Sequence, residues 1–177
     1  MTELRVGVIG AGVMGSGIAQ TLAVAGYETV CCDSAPAALE RAKIGVVSGR
    51  FGMESAVARG KLSREAMDAA LSRLTWSDSL AMAAVADLII ECVPERLELK
   101  IRIFRELDRL AKPTAILASN TSGFSIAALA AATDRAERVV GWHWASPPPV
   151  MKFAEIVAAE HTSQATIETV VEVANAC

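Results

Sequence analysis

Two residues in the last third of the chain have the chemistry of an acid–base pair. His143 follows an apolar run that predicts a strand, and Glu155 lies 12 residues later in a run that could return beside it. A carboxylate that binds one ring nitrogen of a histidine fixes the tautomer and favours the imidazolium, as a general base requires. Spacing alone does not establish contact, so the pair is a candidate for catalysis.

A glycine-rich segment near the amino terminus predicts a phosphate-binding turn. Gly10-Ala11-Gly12-Val13-Met14-Gly15 follows a strand-like run and precedes a helical pattern, as the dinucleotide-binding fingerprint requires. The first glycine permits the tight turn, the second allows close approach of a pyrophosphate, and the third allows helix and strand to pack closely. The free N–H groups at the start of the helix would then bind the phosphate.

An acidic residue lies where the adenine ribose of a dinucleotide would bind. Asp33 closes the second predicted strand, 18 residues after Gly15, and its carboxylate would accept hydrogen bonds from the ribose hydroxyls. The same charge would repel a 2′-phosphate, so the sequence favours NAD over NADP. The alternative interpretation is an ordinary turn residue at the end of a strand.

A run of short polar side chains follows a later predicted strand. Residues 118–123 are Ala-Ser-Asn-Thr-Ser-Gly, and the ligands of doubly wound sheets lie beyond the carboxyl ends of the strands. These side chains could bond both a cofactor and a substrate oxygen, although such a run more often forms a turn or a helix cap.

Predicted strands and predicted helices alternate along the chain, and together they must position these residues. Such alternation is typical of a parallel sheet covered by helices on both faces. The predicted strands are residues 4–9, 28–32, 86–92, 115–118, 139–142 and 153–157. The predicted helices are residues 13–25, 36–57 with three interrupting glycines, a segment beginning near Ser63, 94–110 and 166–176. The sequence therefore predicts an α/β fold, a Rossmann-like doubly wound sheet, as one domain over residues 1–177.

The composition argues against several classes of protein. The 177 residues are 53% apolar and 21% charged with a net charge of −3, which argues against disorder and against a nucleic-acid partner. No apolar run approaches the roughly 20 residues of a membrane helix, and the amino terminus has no secretory signal pattern, so we expect a cytoplasmic protein. The four cysteines and two histidines suggest reduced, buried thiols and no metal. Cys31 and Cys32 should point to opposite faces of the sheet.

Several of these segments together resemble the NAD-binding domain of the 3-hydroxyacyl-CoA dehydrogenases. The resemblance rests on the glycine turn, on AVADLIIECVPERLELK (residues 84–100), on Ser119-Asn120-Thr121-Ser122, and on His143 with MKFAEIV, which match in order and spacing. It covers nearly the whole chain. It implies a mostly parallel Rossmann-like sheet with an inserted helical hairpin, NAD as the cofactor, and a role in fatty acid metabolism.

The resemblance also implies roles for individual residues. His143 would remove the proton from a 3-hydroxyl while hydride leaves carbon 3 for the nicotinamide, and Glu155 would orient His143. Ser122 would bond the substrate oxygen. The implied cofactor contacts are Gly10, Ala11, Gly12, Val13, Met14, Gly15, Asp33, Glu95, Lys100, Asn120, Ser122 and Ser146. For Glu95 and Lys100 the alternative interpretation is that they are solvated charges on a helix.

Three departures from the family pattern concern the substrate. The family usually has His-Phe-Phe-Asn-Pro where residues 143–147 are His-Trp-Ala-Ser-Pro, so Ser146 replaces an amide and the acyl pocket should differ. The segment SGRFGMESAVARGK has no convincing match for the family's coenzyme A contacts. The family has a second, helical domain that completes the acyl site, and this chain ends at Cys177, before that domain. We therefore expect the 177 residues to bind NAD, to turn over poorly and to associate as a homo-oligomer through an exposed apolar face.

The leading functional hypothesis is the reversible oxidation of a 3-hydroxyacyl-CoA to a 3-oxoacyl-CoA. One alternative is a sister dehydrogenase for a small hydroxy acid, such as gulonate or carnitine, without coenzyme A. The segment PERLELK fits that alternative, whereas MKFAEIV favours the acyl-CoA branch. A second alternative is a non-catalytic NAD-binding module, against which His143, Glu155 and Ser122 argue.

Overall fold

A computed structural model describes residues 4–151 and 153–177, so Lys152 of the MKFAEIV segment lies outside the described residues. Seven strands form one sheet in the order β3-β2-β1-β4-β5-β6-β7. They are β1 (Arg5–Ile9), β2 (Glu28–Cys32), β3 (Leu74–Ser77), β4 (Leu88–Glu91), β5 (Ile116–Ser119), β6 (Val139–Trp144) and β7 (Ala154–Ala158). The first six strands are parallel, and β7 runs antiparallel to β6.

Helices cover both faces of this sheet. They are α1 (Val13–Val24), α2 (Pro36–Ser48), α3 (Met53–Ala58), α4 (Arg64–Arg73), α5 (Leu80–Ala84), α6 (Leu97–Leu110), α7 (Ile126–Ala130) and α8 (Gln164–Ala176), with a 3₁₀ turn at Ala136–Arg138. Each face has its own hydrophobic core: Cys31 packs into one and Cys32 into the other. The doubly wound α/β fold and the opposed cysteines are therefore confirmed.

The inserted helical segment between β2 and β3 differs in detail from the sequence prediction. Residues 36–57 form two helices, because the chain turns tightly between Gly49 and Gly52, where the Gly52 N–H donates to the Gly49 carbonyl at 2.9 Å. A β-carbon at Gly52 would lie only 2.7 Å from the carbonyl oxygen of Val47, so this turn needs a residue without a side chain. The third helix, α4, begins after Ser63 as predicted, with the Ser63 hydroxyl accepting from the Ala66 N–H.

The bounds of other helices and strands also differ from the sequence prediction. The predicted helix at residue 94 begins at Leu97, because a turn from Arg96 N–H to the Pro94 carbonyl precedes it. Strand β6 runs on to Trp144, two residues beyond the prediction, because β7 pairs with its whole carboxyl-terminal half. Elements β3, α5 and α7 had no counterpart in the prediction, and each is only four or five residues long.

The glycine turn between β1 and α1 is the tightest packing point near the centre of the sheet. Gly10 has φ = +103°, a conformation that residues with a side chain rarely adopt. A β-carbon at Gly15 would lie 1.8 Å from the carbonyl oxygen of Gly10, so the first turn of α1 lies directly against the backbone that leaves β1. The predicted roles of these two glycines therefore follow from the packing of the chain itself.

We predict that Gly15→Ala destabilises the fold by about 3 kcal/mol or more, because the clash is with backbone that cannot rotate away. The matched change Gly45→Ala, in α2, should stabilise the fold by about 0.5–1 kcal/mol, because a β-carbon there meets open space and alanine favours helix. Urea unfolding of both variants measures the difference. Equal stabilities would contradict the packing described here.

Candidate active site

His143 and Glu155 face one another across the last two strands. The antiparallel register pairs them directly, and directly opposed residues project to the same face of a sheet. The His143 Nδ1 atom lies 3.1 Å from the Glu155 Oε2 atom. The two side chains are 34% and 56% exposed, so the pair is open to a ligand. The reversal of β7 thus places the carboxylate where the sequence hypothesis needs it.

A cleft of about 430 Å³ lies at the carboxyl ends of the central strands, with His143 in its wall. It brings together candidates from four separate segments: the glycine turn, the stretch from β4 into α6, the end of β5 and the end of β6. Its lining residues are Met14, Cys92, Val93, Glu95, Lys100, Asn120, Ser122, His143, Trp144, Ala145 and Ser146. Ser122 and Ser146 are exposed in this lining.

Asp33 lies outside the cleft lining, at the end of β2 beside the glycine turn. Its Oδ2 atom accepts from the Ala11 N–H at 2.8 Å and its Oδ1 atom from the Ala35 N–H at 2.9 Å. The carboxylate therefore fixes the glycine turn, and it is also available to a ligand at the end of β2. A carboxylate has about four acceptor positions, so two bonds leave capacity for a ligand.

Gly12 is the N-cap residue of α1, and it differs from the two packed glycines, Gly10 and Gly15. A β-carbon there would meet no atom within 4 Å, so the packing of the chain does not require a glycine at this position. The first N–H groups of a helix have no partners within it, and they carry a partial positive charge. The open space beside Gly12 thus lies next to an anion-binding helix end.

A buried ion cluster borders the cleft, and the sequence hypothesis found only part of it. The Lys100 Nζ atom lies 2.8 Å from Glu91 Oε1, 3.1 Å from Glu95 Oε2 and 3.3 Å from the Val93 carbonyl oxygen. The side chains of Lys100 and Glu91 are 1% and 0% exposed. Lys100 is therefore not a solvated helix charge, whereas Glu95 remains 44% exposed.

Two further donors bind the Glu91 carboxylate of this cluster. Ser119 Oγ donates to Glu91 Oε2 at 2.7 Å, and the Val93 N–H donates to Glu91 Oε1 at 2.7 Å. Burial raises the pKa of Glu91 above the ordinary value of a glutamate, although its donors oppose that shift. The one sequence signal that points to this cluster, the lone acid at the end of the apolar run LIIE, was not used in the prediction. A carboxylate buried there needs a cation as its partner.

Glu95 is held from the other side by the loop that follows β5. Thr121 Oγ1 and the Ser122 N–H both donate to Glu95 Oε1, the second at 3.2 Å. Burial acts to raise the pKa of Glu95, but the hydrogen bonds from Thr121 and Lys100 outweigh it and lower that pKa. Glu95 is therefore a fixed, ionised acceptor at the edge of the cleft.

Asn120 connects the ends of two strands under the cleft. Its Oδ1 atom accepts from the Trp144 N–H at 2.9 Å, so the side-chain amide is oriented by the residue that follows His143. The opposite end of that amide, the NH₂ group, is the part left to act as a donor.

The described residues give two further findings. In residues 4–151 and 153–177, no group of three or more His, Cys, Asp or Glu side chains is arranged to hold a metal ion. No helix over the same ranges is long and apolar enough to cross a membrane.

The central glycine turn, the aspartate at the end of β2 and the cleft beyond β4 and β5 define a dinucleotide-binding domain of the dehydrogenase type. The chain belongs to the family described as 3-hydroxyacyl-CoA dehydrogenase, NAD binding domain, whose profile matches residues 5–177. The resemblance drawn from the sequence and NAD as the cofactor are both confirmed.

Named relatives agree with this family. A 3-hydroxybutyryl-CoA dehydrogenase of Bradyrhizobium diazoefficiens is 42% identical over 164 residues, which are 93% of this chain and 55% of that protein. A crystal structure of 3-hydroxybutyryl-CoA dehydrogenase from Escherichia coli K12 superposes with a TM-score of 0.93 at 38% identity, covering 99% of this chain and 37% of the other. The chain thus spans about half or less of the length of these relatives.

One similar structure belongs to an enzyme that is named for a substrate of a different kind. It is the NAD⁺-dependent dismutase described as a 5-dehydrogenase of a formyl-hydroxy-methylpyridine carboxylic acid, which shares 34% identity and a TM-score of 0.84. The match covers 99% of this chain and 55% of that one.

We predict that Lys100→Met destabilises the fold by about 3–5 kcal/mol at neutral pH, because Glu91 is left as an unpaired buried charge. The loss should shrink towards acidic pH. Without Lys100 the pKa of Glu91 rises further, so the folded chain keeps a proton that the unfolded chain releases, and stability rises as pH falls through that window.

Urea unfolding at about pH 5 and about pH 7.5 measures this dependence. Lys112→Met is the matched control, because Lys112 pairs with Asp87 at the opposite end of β4 and is 40% exposed. A Lys100→Met penalty that is the same at both pH values would contradict a buried Glu91 charge as its cause.

Proposed function

We propose that this chain is the NAD-binding part of a dehydrogenase that reversibly oxidises a 3-hydroxyacyl-CoA to a 3-oxoacyl-CoA. The observation that carries the proposal is the His143–Glu155 pair, with its 3.1 Å contact, whose histidine lines a cleft together with Ser122 and Glu95. Family membership supports the reaction class, and the names of the relatives support an acyl-CoA substrate.

The dinucleotide would lie across the carboxyl ends of the central strands. Asp33 would accept from the adenine ribose, and the open space at Gly12 and the first N–H groups of α1 would receive the pyrophosphate. Ala11, Val13 and Met14 belong to the same turn. Glu95, Asn120 and Ser146 then border the nicotinamide half.

Side chains of the cleft remove the hydroxyl proton and bind the substrate oxygen. His143 takes the proton of the 3-hydroxyl, and Glu155 holds Nδ1 of that ring so that the opposite nitrogen faces the substrate. The exposed Ser122 hydroxyl donates to the same oxygen. Bound NAD supplies the hydride acceptor.

A free hydroxy acid is a second candidate substrate, favoured by the pyridine-carboxylic-acid dehydrogenase that shares this domain at 34% identity. Small side chains at Ala145 and Ser146 leave room beside His143 in the cleft. Turnover of acetoacetyl-CoA against turnover of free acetoacetate, both with NADH, distinguishes the two. The names of the curated relatives favour the thioester.

Association is proposed through the apolar face around β7. The exposed apolar residues in and just before β7 are Val150, Met151, Phe153 and Val157, which are 45% to 59% exposed. Apolar exposure of this extent supports homo-oligomerisation of the 177-residue chain. The free cysteines Cys31 and Cys32, both buried, support a reducing compartment such as the cytoplasm.

We predict that the chain binds NADH more tightly than NADPH and that Asp33→Ala weakens NADH binding by about 1.5–3 kcal/mol. The discrimination against NADPH should also fall, because the repelling charge is gone. Fluorescence titration with both cofactors measures this, with exposed Asp68→Ala in α4 as the matched control. Equal affinity of the unaltered chain for NADH and NADPH would contradict the proposal.

We predict that His143→Gln lowers turnover of acetoacetyl-CoA by about 10²–10⁴-fold through loss of general acid–base catalysis, with NADH affinity nearly unchanged. Glu155→Gln should preserve the fold and lower turnover less. His161→Gln, the exposed second histidine, is the control. Because the relatives are longer, the assay uses both the 177 residues and a chimera in which they replace the matching part of the Bradyrhizobium enzyme.

The chimera and the 177 residues alone give different information. The chimera should turn over at an ordinary enzymatic rate, whereas the 177 residues alone should bind NADH and turn over poorly, since substrate orientation contributes roughly 7–11 kcal/mol to such reactions. Near-normal turnover of the His143→Gln chimera at saturating substrate would overturn His143 as the base.

A further inference from the structure

The Thr162 side chain joins the backbones of β6 and β7 at the end of these strands that is remote from the cleft. Its hydroxyl donates to the Val139 carbonyl oxygen at 2.7 Å and accepts from the Ala159 N–H at 2.8 Å. A hydroxyl has one donor hydrogen and two lone pairs, so it can make both bonds at once. Thr162 therefore links the first residue of β6 to the residue that follows β7.

This Thr162 bridge continues the pairing of the two strands. The observed register ends with Val140 opposite Ala158, so the next pair would be Val139 with Ala159. The Thr162 hydroxyl bonds one backbone group of each residue in that next pair. The geometry of the bridge is thus tied to the register of β7 on β6.

The side chains of β7 specify this register weakly. Ala154, Ile156 and Ala158 lie on one face of the strand, while Glu155 and Val157 lie on the other. A shift of β7 by two residues would keep each of these side chains on its own face, so the alternating pattern does not oppose it. Within that pattern the half-buried Ile156 would exchange places with an alanine.

The connection between β6 and β7 leaves the same freedom. It consists of residues 145–153, whereas the hairpin turns that set a register have about two to five residues. A longer connection can absorb a shift of one strand along the other. A contact outside the strands and their connection is therefore needed to define the register.

A shift by two residues would separate Glu155 from His143. An apolar residue, Phe153 or Val157, would then lie opposite the histidine. The same shift would carry the N–H that Thr162 binds roughly 7 Å along the strand. Because the bridge consists of bonds of 2.7 and 2.8 Å, it fits the register that pairs Glu155 with His143 and neither of the shifted ones.

The residues that follow Thr162 anchor it to the start of β6. The Ser163 N–H donates to the Glu137 carbonyl at 2.8 Å, and Thr166 Oγ1 donates to the same carbonyl at 2.9 Å. Ser163 also caps α8, because its hydroxyl accepts from the Thr166 N–H at 3.2 Å. Glu137 belongs to the 3₁₀ turn that ends where β6 begins. The bridge is therefore attached to a part of the fold that is held independently of β7.

We propose that Thr162 is a positioning residue that fixes the register of β7 on β6 and thereby holds the Glu155 carboxylate opposite His143. The proposal rests on the proposed function, in which His143 is the base and Glu155 orients it. Thr162 acts from a distance, because its partner Val139 lies four residues before His143, about 13 Å along a strand. We therefore expect it to affect proton transfer and to leave cofactor binding unchanged.

A double-mutant cycle in the chimera tests whether Thr162 acts through Glu155. It compares the unaltered chimera, Thr162→Val, Glu155→Gln and the double variant, since valine keeps the shape of threonine and lacks the hydroxyl. Thr162→Ser keeps the hydroxyl and is the conservative variant. Thr169→Val is the matched control, because the Thr169 hydroxyl donates to the Ala165 carbonyl within α8 at 2.9 Å. The measured quantities are kcat and KM for acetoacetyl-CoA and the Kd of NADH.

The expected result is a loss in kcat that does not add to the loss from Glu155→Gln. Thr162→Val should lower kcat by about 10-fold and leave KM and the NADH Kd within about two-fold, because a displaced carboxylate misaligns the base. The double variant should be no more than about two-fold slower than Glu155→Gln alone. Thr162→Ser and Thr169→Val should stay within about two-fold of the unaltered chimera. If Thr162→Val does not fold, Thr162→Ala takes its place with the same expectation.

NMR spectra of the 177-residue chain give a readout that does not depend on activity. Cross-strand contacts between the backbone protons of residues 143 and 155 should be present in the unaltered chain and in Thr162→Ser. They should be weakened or replaced by contacts of a shifted register in Thr162→Val. Urea unfolding of each variant confirms that it is folded under the conditions of the measurement.

The outcomes that overturn the proposal are distinguishable. Unchanged cross-strand contacts with an unchanged kcat in Thr162→Val would overturn Thr162 as a positioning residue, and the proposed function would stand. Losses that multiply in the double variant would show that Thr162 does not act through Glu155, again without touching the proposed function. An unaltered chimera without turnover would overturn the proposed function together with this inference.

Discussion

The ammonium group of Lys100 lies in the interior of the domain, within 2.8 Å of a glutamate that has no exposure to solvent. Neither charge is tolerable at that depth without the other, so the residues that bring them together are constrained as a unit. Glu91 ends β4, Lys100 lies in the first turns of α6, and Ser119 at the end of β5 donates to the same carboxylate. One ion pair therefore sets the relative positions of two strand ends and a helix, which together form the floor of the cleft.

The rest of the site depends on topology more than on specific contacts. Parallel strands collect the glycine turn, Glu95, Asn120 and Ser122 at one edge of the sheet, because every strand from β1 to β6 ends on that side. Among the described strands, β7 alone runs antiparallel to its neighbour, and this reversal pairs Glu155 with His143. A mostly parallel sheet with one antiparallel edge strand thus assembles a cofactor cleft and an acid–base pair beside it.

Much of this arrangement was predictable from the sequence, and the failures have physical causes. The turn at Gly10, the strand end at Asp33 and the helix start at Ser63 each carry a local signature, so their positions were predicted closely. Elements β3, α5 and α7 are too short to show a period, and tertiary packing decides them. The burial of Lys100 against Glu91 was not predicted, because a lysine in LELK looks the same whether it is solvated or buried. Only its partner in β4, at the end of an apolar run, distinguishes the two.

The edge position of β7 has a consequence for the kinetics of the site. Glu155 lies on a strand that pairs with β6 alone, and the other side of an edge strand offers unpaired backbone groups to solvent. Edge elements open locally at a lower free energy than the centre of a sheet, where β1 and β4 lie. The orientation of His143 is therefore only as persistent as the pairing of β7. Transient fraying of this one strand would switch off the base while the dinucleotide-binding half of the sheet remained closed, so the two halves of the site exchange their amide hydrogens on different timescales.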